Sequence, residues 1–183
     1  MNTVVSFLEG ERIILRALNR QDLNENYLQW LNDEEVSRGN GHAVFPNTEE
    51  AMIRYYEEQQ NNTKQLVLAI IYKEDKKHIG NVSLQNINWI SRNAEFAILM
   101  GDKNYWKKGL GEEAALLIVQ YGFERLNLHR IHCGTFSNNE SMKKLAEKLS
   151  MKQEGVRREA VYKSGQYLDI YEYAVLKNEF VKK

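Results

Sequence analysis

The chain is poor in the features that mark most specialised classes of protein. Its 183 residues include one cysteine, Cys133, so no internal disulfide can form, and a lone thiol suits a reducing, cytoplasmic setting. There is one proline, Pro46, and no Pro/Gly/Ser-rich linker, low-complexity tract or repeat, which predicts a single domain over residues 1–183. No apolar run approaches the roughly 18 residues of a membrane span. The opening Met1-Asn2-Thr3-Val4-Val5-Ser6-Phe7 has neither the basic region nor the apolar stretch of a secretory leader. Excess charge is missing too: Lys plus Arg and Asp plus Glu are 25 each, whereas neutralising a nucleic acid normally leaves a basic surplus. Neither nucleic acid nor membrane is expected as a partner. What remains, 43% hydrophobic and 27% charged residues, is the composition of a soluble globular protein with enough length to bury one core.

Hydrophobic periodicity predicts the elements. Leu8 to Leu18 alternates and is β-branched in its middle, a first strand. Asp22 reads as the cap of a helix in which Leu23, Tyr27, Trp30 and Leu31 share a face, closed by Asn32-Asp33. A loop over Val36 to Pro46 follows, then a second helix from Asn47-Thr48-Glu49-Glu50 to Gln60. Gln65 to Lys73 and His78 to Asn86 flank a polar turn as a hairpin, and Asn93 to Met100 is the next strand. A helix to about Leu126, a strand over Arg130 to Phe136, a helix over Glu140 to Leu149 and a hairpin of Val156 to Tyr162 with Tyr167 to Leu176 complete the chain. The order β-α-α-β-β-β-α-β-α-β-β predicts an α/β (α+β) fold, a mixed, mostly antiparallel sheet of about seven strands flanked by about four helices.

The stretch richest in chemistry is Tyr105-Trp106-Lys107-Lys108-Gly109-Leu110-Gly111-Glu112-Glu113-Ala114. Strand, glycine turn and helix follow in that order, which exposes unpaired backbone N–H groups at the positive end of a helix dipole and suits phosphate oxygens. It is not a Walker loop, which needs Gly-x-x-x-x-Gly-Lys-Ser/Thr. A dinucleotide fingerprint tolerates Ala114 at its third position, but the next strand ends in Gly134-Thr135-Phe136-Ser137, without the acidic residue that fold uses. From spacing alone, a phosphate site and a plain tight turn are equal readings.

The whole pattern resembles the GNAT superfamily of N-acetyltransferases, whose Gln/Arg-x-x-Gly-x-Gly/Ala loop holds the pyrophosphate of acetyl-CoA. Trp106 stands where Gln or Arg is usual, and Tyr105 to Ala114 is similar to the branch that acetylates ribosomal-protein N-termini (alanine or serine). Glu11 to Arg16, Tyr27 to Asp33, Tyr121 to Glu124, His129 to Ile131, Asn139, Glu147 to Leu149 and the Gly165/Asp169 hairpin resemble further motifs of that branch, so the likeness covers nearly the whole chain. Departures are Ser150-Met151 in place of Gly-Phe, Met142 in place of a serine, and Ala146 where many relatives carry a tyrosine acid.

The resemblance implies acetyl-CoA as co-substrate, with Trp106, Lys107, Lys108, Gly109, Leu110 and Gly111 around its pyrophosphate and Asn139 as a further contact. Phe96, Ile98 and Met100 belong to the strand stretch that would bind the coenzyme, with the Ile98 N–H polarising the thioester carbonyl as an oxyanion hole does. Glu95 is the expected general base, an ion-paired strand glutamate being the equal alternative. Tyr105, Ser141 and Tyr173 are candidate acids. Trp30, His42, Phe45 and Glu95 are read as acceptor contacts, although Trp30, Trp89 and Phe45 also suit packing. His129 and His132 fall on opposite strand faces, so no metal site is expected. Cys133, mid-strand, reads as a core thiol and not a covalent acyl carrier. The acceptor is a primary amine, of a protein N-terminus or a small molecule, and a homodimer is compatible with this reading. A non-catalytic acyl-CoA sensor on the same fold is the alternative, favoured if Phe45 or Trp89 plugs the acceptor channel; a Rossmann-type nucleotide binder is a third reading.

Overall fold

The computed structural model describes residues 5–181; Met1 to Val4, part of the stretch read for a leader, and Lys182 and Lys183 lie outside the described residues. Eight strands form one sheet in the order β1-β2-β3-β4-β5-β6-β8-β7. They are β1 (Leu8–Glu9), β2 (Ile13–Ala17), β3 (Leu66–Tyr72), β4 (His78–Asn88), β5 (Asn93–Met100), β6 (Arg130–Phe136), β7 (Lys152–Lys163) and β8 (Gln166–Leu176). The helices are α1 (Glu25–Asn32), α2 (Glu49–Gln59), α3 (Leu110–Glu124) and α4 (Glu140–Lys148). Every neighbouring pair is antiparallel except β5–β6.

Three boundaries differ from the sequence reading. The first strand is two, because the chain turns at Gly10, whose N–H donates to the Ile13 carbonyl, while the alternation carries on through the turn. The first helix is capped by Asn24, whose side chain accepts from the Tyr27 N–H. Asp22 instead closes a short 3-10 turn in a reciprocal capping box with Asn19, since a carboxylate two residues upstream of the cap meets the preceding turn's free amides. The last hairpin begins at Lys152, where β8 supplies partners for residues that lack an alternating pattern.

Side chains alternate across the sheet and feed two cores. Ile13, Leu15, Leu68, Ile70, Val82, Leu84, Ala94 and Phe96 face α3, which buries Leu110, Ala114, Ala115, Ile118, Val119 and Phe123 against them. On the other face Ala69 and Ile71 meet α1 and α2 through Tyr27, Trp30 and Met52. At a few kcal/mol for each large apolar side chain fully buried, these two layers supply the main drive to fold. Trp30 anchors the second: its ring edges against His78 and Tyr27 and lies over Gly101, just past β5. A Cβ at Gly101 would come within 2.0 Å of the indole. Gly101→Ala is therefore expected to destabilise the fold by about 1–3 kcal/mol through overpacking, read as a lower urea midpoint with an unchanged slope.

Candidate active site

The parallel pairing of β5 with β6 lasts only for Asn93–Arg130, Ala94–Ile131 and Glu95–His132. Beyond it β6 pairs with β8 alone and β5 with β4 alone, so the two strands diverge into a V. Amide direction along β5 follows from the β4 register. Met100 lies opposite Gly80, and the next residue, Gly101, donates to the Ile79 carbonyl at 3.0 Å. Met100 therefore sits at a non-hydrogen-bonded pair, and by alternation the backbone groups of Phe96, Ile98 and Met100 turn away from β4; the Phe96 N–H falls within the last parallel pair with β6, while Ile98 and Met100 face the space that β6 has left. Buried backbone polar groups without a ladder partner are rare, and a polar ligand would satisfy them.

At the wide end of the V stands the glycine turn. Lys107 (φ 58°) and Gly109 (φ 78°) are both left-handed, and Gly109 is the N-cap of α3 with no side-chain cap. The first intrahelical bond there is Glu113 N–H to the Gly109 carbonyl, so the amides of the preceding turn stay free. A Cβ on Gly111 would lie 3.3 Å from Met100 Cγ and 3.6 Å from Ile98 Cδ1, which sets the helix start beside the free edge of β5. Trp106 does not reach outward: its indole N–H donates to the Met100 carbonyl at 2.8 Å and ties the loop to the strand. Lys107 and Lys108 are exposed, the Lys108 ammonium lying 5.2 Å from the Tyr105 ring centroid.

A residue with no local sequence signal braces this loop. Arg12 Nη1 donates to the Lys108 carbonyl at 2.8 Å and its Nε to Glu113 Oε2 at 3.0 Å, while Glu113 Oε1 accepts from the Arg12 N–H at 2.8 Å. The turn is thus held from β2 and from the first turn of α3 at once. Glu112, the other first-turn carboxylate, pairs with Lys148, so both negative charges at this helix N-terminus are compensated.

On the opposite face of β5, Glu95 is half-buried and accepts from Asn86 Nδ2 at 3.1 Å, Asn86 lying at an irregularity in β4. It sits where the parallel pairing ends, three residues before Ile98, whose amide is the first to face the open split. Tyr105 is committed elsewhere. Its hydroxyl donates to Asp75 in the β3–β4 turn, and that bond, with partial burial, pushes its pKa up to about 12. Tyr173 points along β7 to Gln153 at 3.5 Å, and burial raises its pKa as well. The side-chain groups of Asn139 cap α4 through the Met142 N–H and reach the Gly39 carbonyl at 3.4 Å. Of the residues read as acceptor contacts, Trp30 is buried, Phe45 is 82% exposed, and His42 lies on the surface. Desolvation of the imidazole and the nearby Lys163 charge hold His42 below its usual pKa.

Cys133 is buried, and its Sγ contacts Met151 Sδ at 3.5 Å. Desolvation, reinforced by Glu172 and Glu95, pushes the thiol up to about 12, the opposite of an activated nucleophile. Among the described residues no group of three or more His, Cys, Asp or Glu could hold a metal ion.

The sequence of residues 12–152, which builds both the split and the glycine turn, matches the profile of the acetyltransferase (GNAT) domain. The chain belongs to the GNAT acetyltransferase family. This acetyltransferase is 30% identical over 175 residues to the uncharacterised N-acetyltransferase p20 of Bacillus licheniformis, covering 94% of this chain and 97% of that protein. It is 26% identical over 178 residues, 93% and 94% of the two chains, to YdaF of Bacillus subtilis, whose name assigns it provisionally to the ribosomal N-acetyltransferases. In fold it is similar to the spermidine N-acetyltransferase of Vibrio cholerae solved with CoA and spermine, at a TM-score of 0.84 and 24% identity over 93% of this chain and 98% of that one. The expected fold class and N-acetyltransferase reading are borne out, with eight strands where about seven were expected.

Burial both shields the Cys133 thiol from reagent and disfavours its thiolate. Iodoacetamide at about pH 8 should leave the native protein unmodified and label it in urea; mass spectrometry of both samples reads the outcome, and rapid native labelling would contradict the burial.

Proposed function

We propose that this acetyltransferase moves an acetyl group from acetyl-CoA directly to a primary amine, of a protein N-terminus or a small molecule. The observation that carries this reading is the juxtaposition of the free β5 amides with the uncapped N-terminus of α3 across the mouth of one split. The Lys107 to Gly111 turn would hold the pyrophosphate through backbone N–H groups, with Arg12 keeping the turn in shape. The Ile98 N–H would polarise the thioester carbonyl, a preformed donor that costs no reorganisation during the reaction. Glu95, on the acceptor face and oriented by Asn86, would take the ammonium's proton, directly or through one water, to give the neutral amine. Attack on the carbonyl carbon forms the C–N bond, the C–S bond breaks with the electron pair leaving on sulfur, and the proton that the nitrogen sheds as the amide forms neutralises the thiolate through solvent. A thiol with a pKa near 8.5 is a good leaving group, so its departure asks less of a proton donor than an alkoxide would. That fits a site in which Tyr105 is bound to Asp75 and Ala146 replaces the tyrosine of many relatives.

The placement of two exposed aromatics also supports an enzyme over a sensor. Phe45 is turned out to solvent, and the Trp89 indole donates to the Thr63 carbonyl at 3.0 Å, so neither aromatic is used as a plug. The range of relatives, from a provisional ribosomal acetyltransferase to a spermidine acetyltransferase, defines the test panel: peptides with alanine or serine N-termini, and spermidine and spermine.

Free thiol release and the mass of the acetylated product are expected for at least one class in that panel. Coenzyme binding by calorimetry with no turnover on any amine would sink the enzyme reading. Gly109→Val places a β-branched residue at a φ of 78° and fills the turn, and it should weaken acetyl-CoA binding more than tenfold while the fold persists. Wild-type affinity in that variant would remove the loop assignment. Glu95→Gln should lower kcat by about 100-fold or more with the coenzyme Kd unchanged, and the loss should shrink at alkaline pH, where the amine deprotonates unaided.

A further inference from the structure

The connection between α1 and α2 starts at one lip of the β5–β6 split, reaches the other over residues 37–42, and returns to its start, where the Asn47 N–H donates to Asn32 Oδ1 at 2.8 Å. On the β5 side, Lys103, three residues beyond the strand, pairs with Asp33 Oδ2 and Glu35 Oε2, both at 2.8 Å. Asp33 also caps the first turn of the segment, accepting from the N–H groups of Glu35 at 2.9 Å and Val36 at 3.0 Å. On the β6 side, Gly39 lies so close to Asn139 that a Cβ would meet its Nδ2 at 2.1 Å, and the tip of the β7–β8 hairpin reaches over. There the Lys163 ammonium donates to the carbonyls of Ser37 and Asn40, both at 2.7 Å, and to that of His42 at 3.4 Å. Residues 33–42 are therefore a strap across the open end of the V, fastened at both lips.

The two fastenings differ in kind. Lys103 is neutralised by two carboxylates. Lys163 is held by neutral carbonyls, with no carboxylate within ion-pair distance among the described residues and Glu34 acting on it only at longer range. An ammonium caged by backbone dipoles is directional and holds the backbone itself, so it fixes the path of the Ser37 to His42 stretch.

We propose that Lys163 is a positioning residue for the acceptor amine: it latches the strap over the split and so sets the wall against which the acceptor lies. The acceptor half of this statement rests on the acetyl-transfer reading above; the latch itself does not. Lys163 touches no reacting atom. Its effect falls mainly on the amine, because the coenzyme's turn is braced separately by Arg12, and Asn139, although it touches Gly39, is held by its own cap on the Met142 N–H.

Lys163→Met keeps the side-chain stem and removes the donors; Lys163→Arg restores donors of different shape. Hydrogen exchange of the backbone amides over residues 37–46, without any substrate, should accelerate at least tenfold in K163M and partly recover in K163R, with α3 amides unchanged. With the best amine of the panel, K163M should raise the amine KM about tenfold and leave the acetyl-CoA KM within about twofold. Unchanged exchange overturns the latch. Faster exchange with an unchanged amine KM, or an equal rise in both KM values, overturns the positioning role. Should K163M fail to fold, Lys163→Gln carries the same two readouts. If the wild type acetylates no amine, the enzyme reading fails, the acceptor role falls with it, and the latch is judged by exchange alone.

Discussion

Everything functional in this fold depends on a strand pairing that stops. Three register pairs join β5 to β6, after which each strand keeps only its other neighbour. A continuous sheet would have used the β5 amides for stability. Ending the pairing leaves them as donors pointed into a cleft, at a cost of order 1 kcal/mol for each ladder bond not made. The same divergence opens room for α3 to begin beside Ile98 and Met100, so strand edge and helix N-terminus face a ligand from two directions. Direct transfer needs little else from the protein, because most of its acceleration comes from holding two reactants in line against fixed dipoles.

The turn between β5 and α3 is itself a strained element kept in place by its surroundings. Of the two left-handed residues, Gly109 adopts that conformation freely, and the strain sits on Lys107. Trp106 fastens the turn to the Met100 carbonyl, and Arg12 fastens it to Lys108 and Glu113. This gives a physical sense to the tryptophan in the turn. The indole N–H is spent inward, satisfying the Met100 carbonyl at the lip of the split.

What could be read from the sequence was what is local. The strand, turn and helix from Asn93 to Glu124 carry periodicity, glycine spacing and charge within thirty-two residues, and the β3–β4 hairpin carries its polar turn. Errors came where two signals of the same kind compete. Alternation runs unbroken through the Gly10 turn and merges two strands into one, and Asp22 outbids Asn24 as a cap because both are good N-cap residues. The bracing of the site was illegible for a different reason. Arg12 and Glu113 lie 101 positions apart, and nothing in either neighbourhood marks the other. Likewise Tyr105 looks available beside the turn until the fold brings Asp75 to its hydroxyl, and Trp30 looks like a pocket wall until Gly101 is seen beneath it.

The length of these ties has a consequence for how the protein is made. Lys163 meets carbonyls that were synthesised 126, 123 and 121 residues earlier, and the Arg12 contacts close loops of 96 and 101 residues. Closing such loops is entropically costly early in folding and becomes cheap only when the sheet between them is in place. A nascent chain emerging from the ribosome would hold a strap with one end loose until its final hairpin appears. The cleft would be finished last, so an incomplete chain would not offer a formed active site to the acetyl-CoA around it.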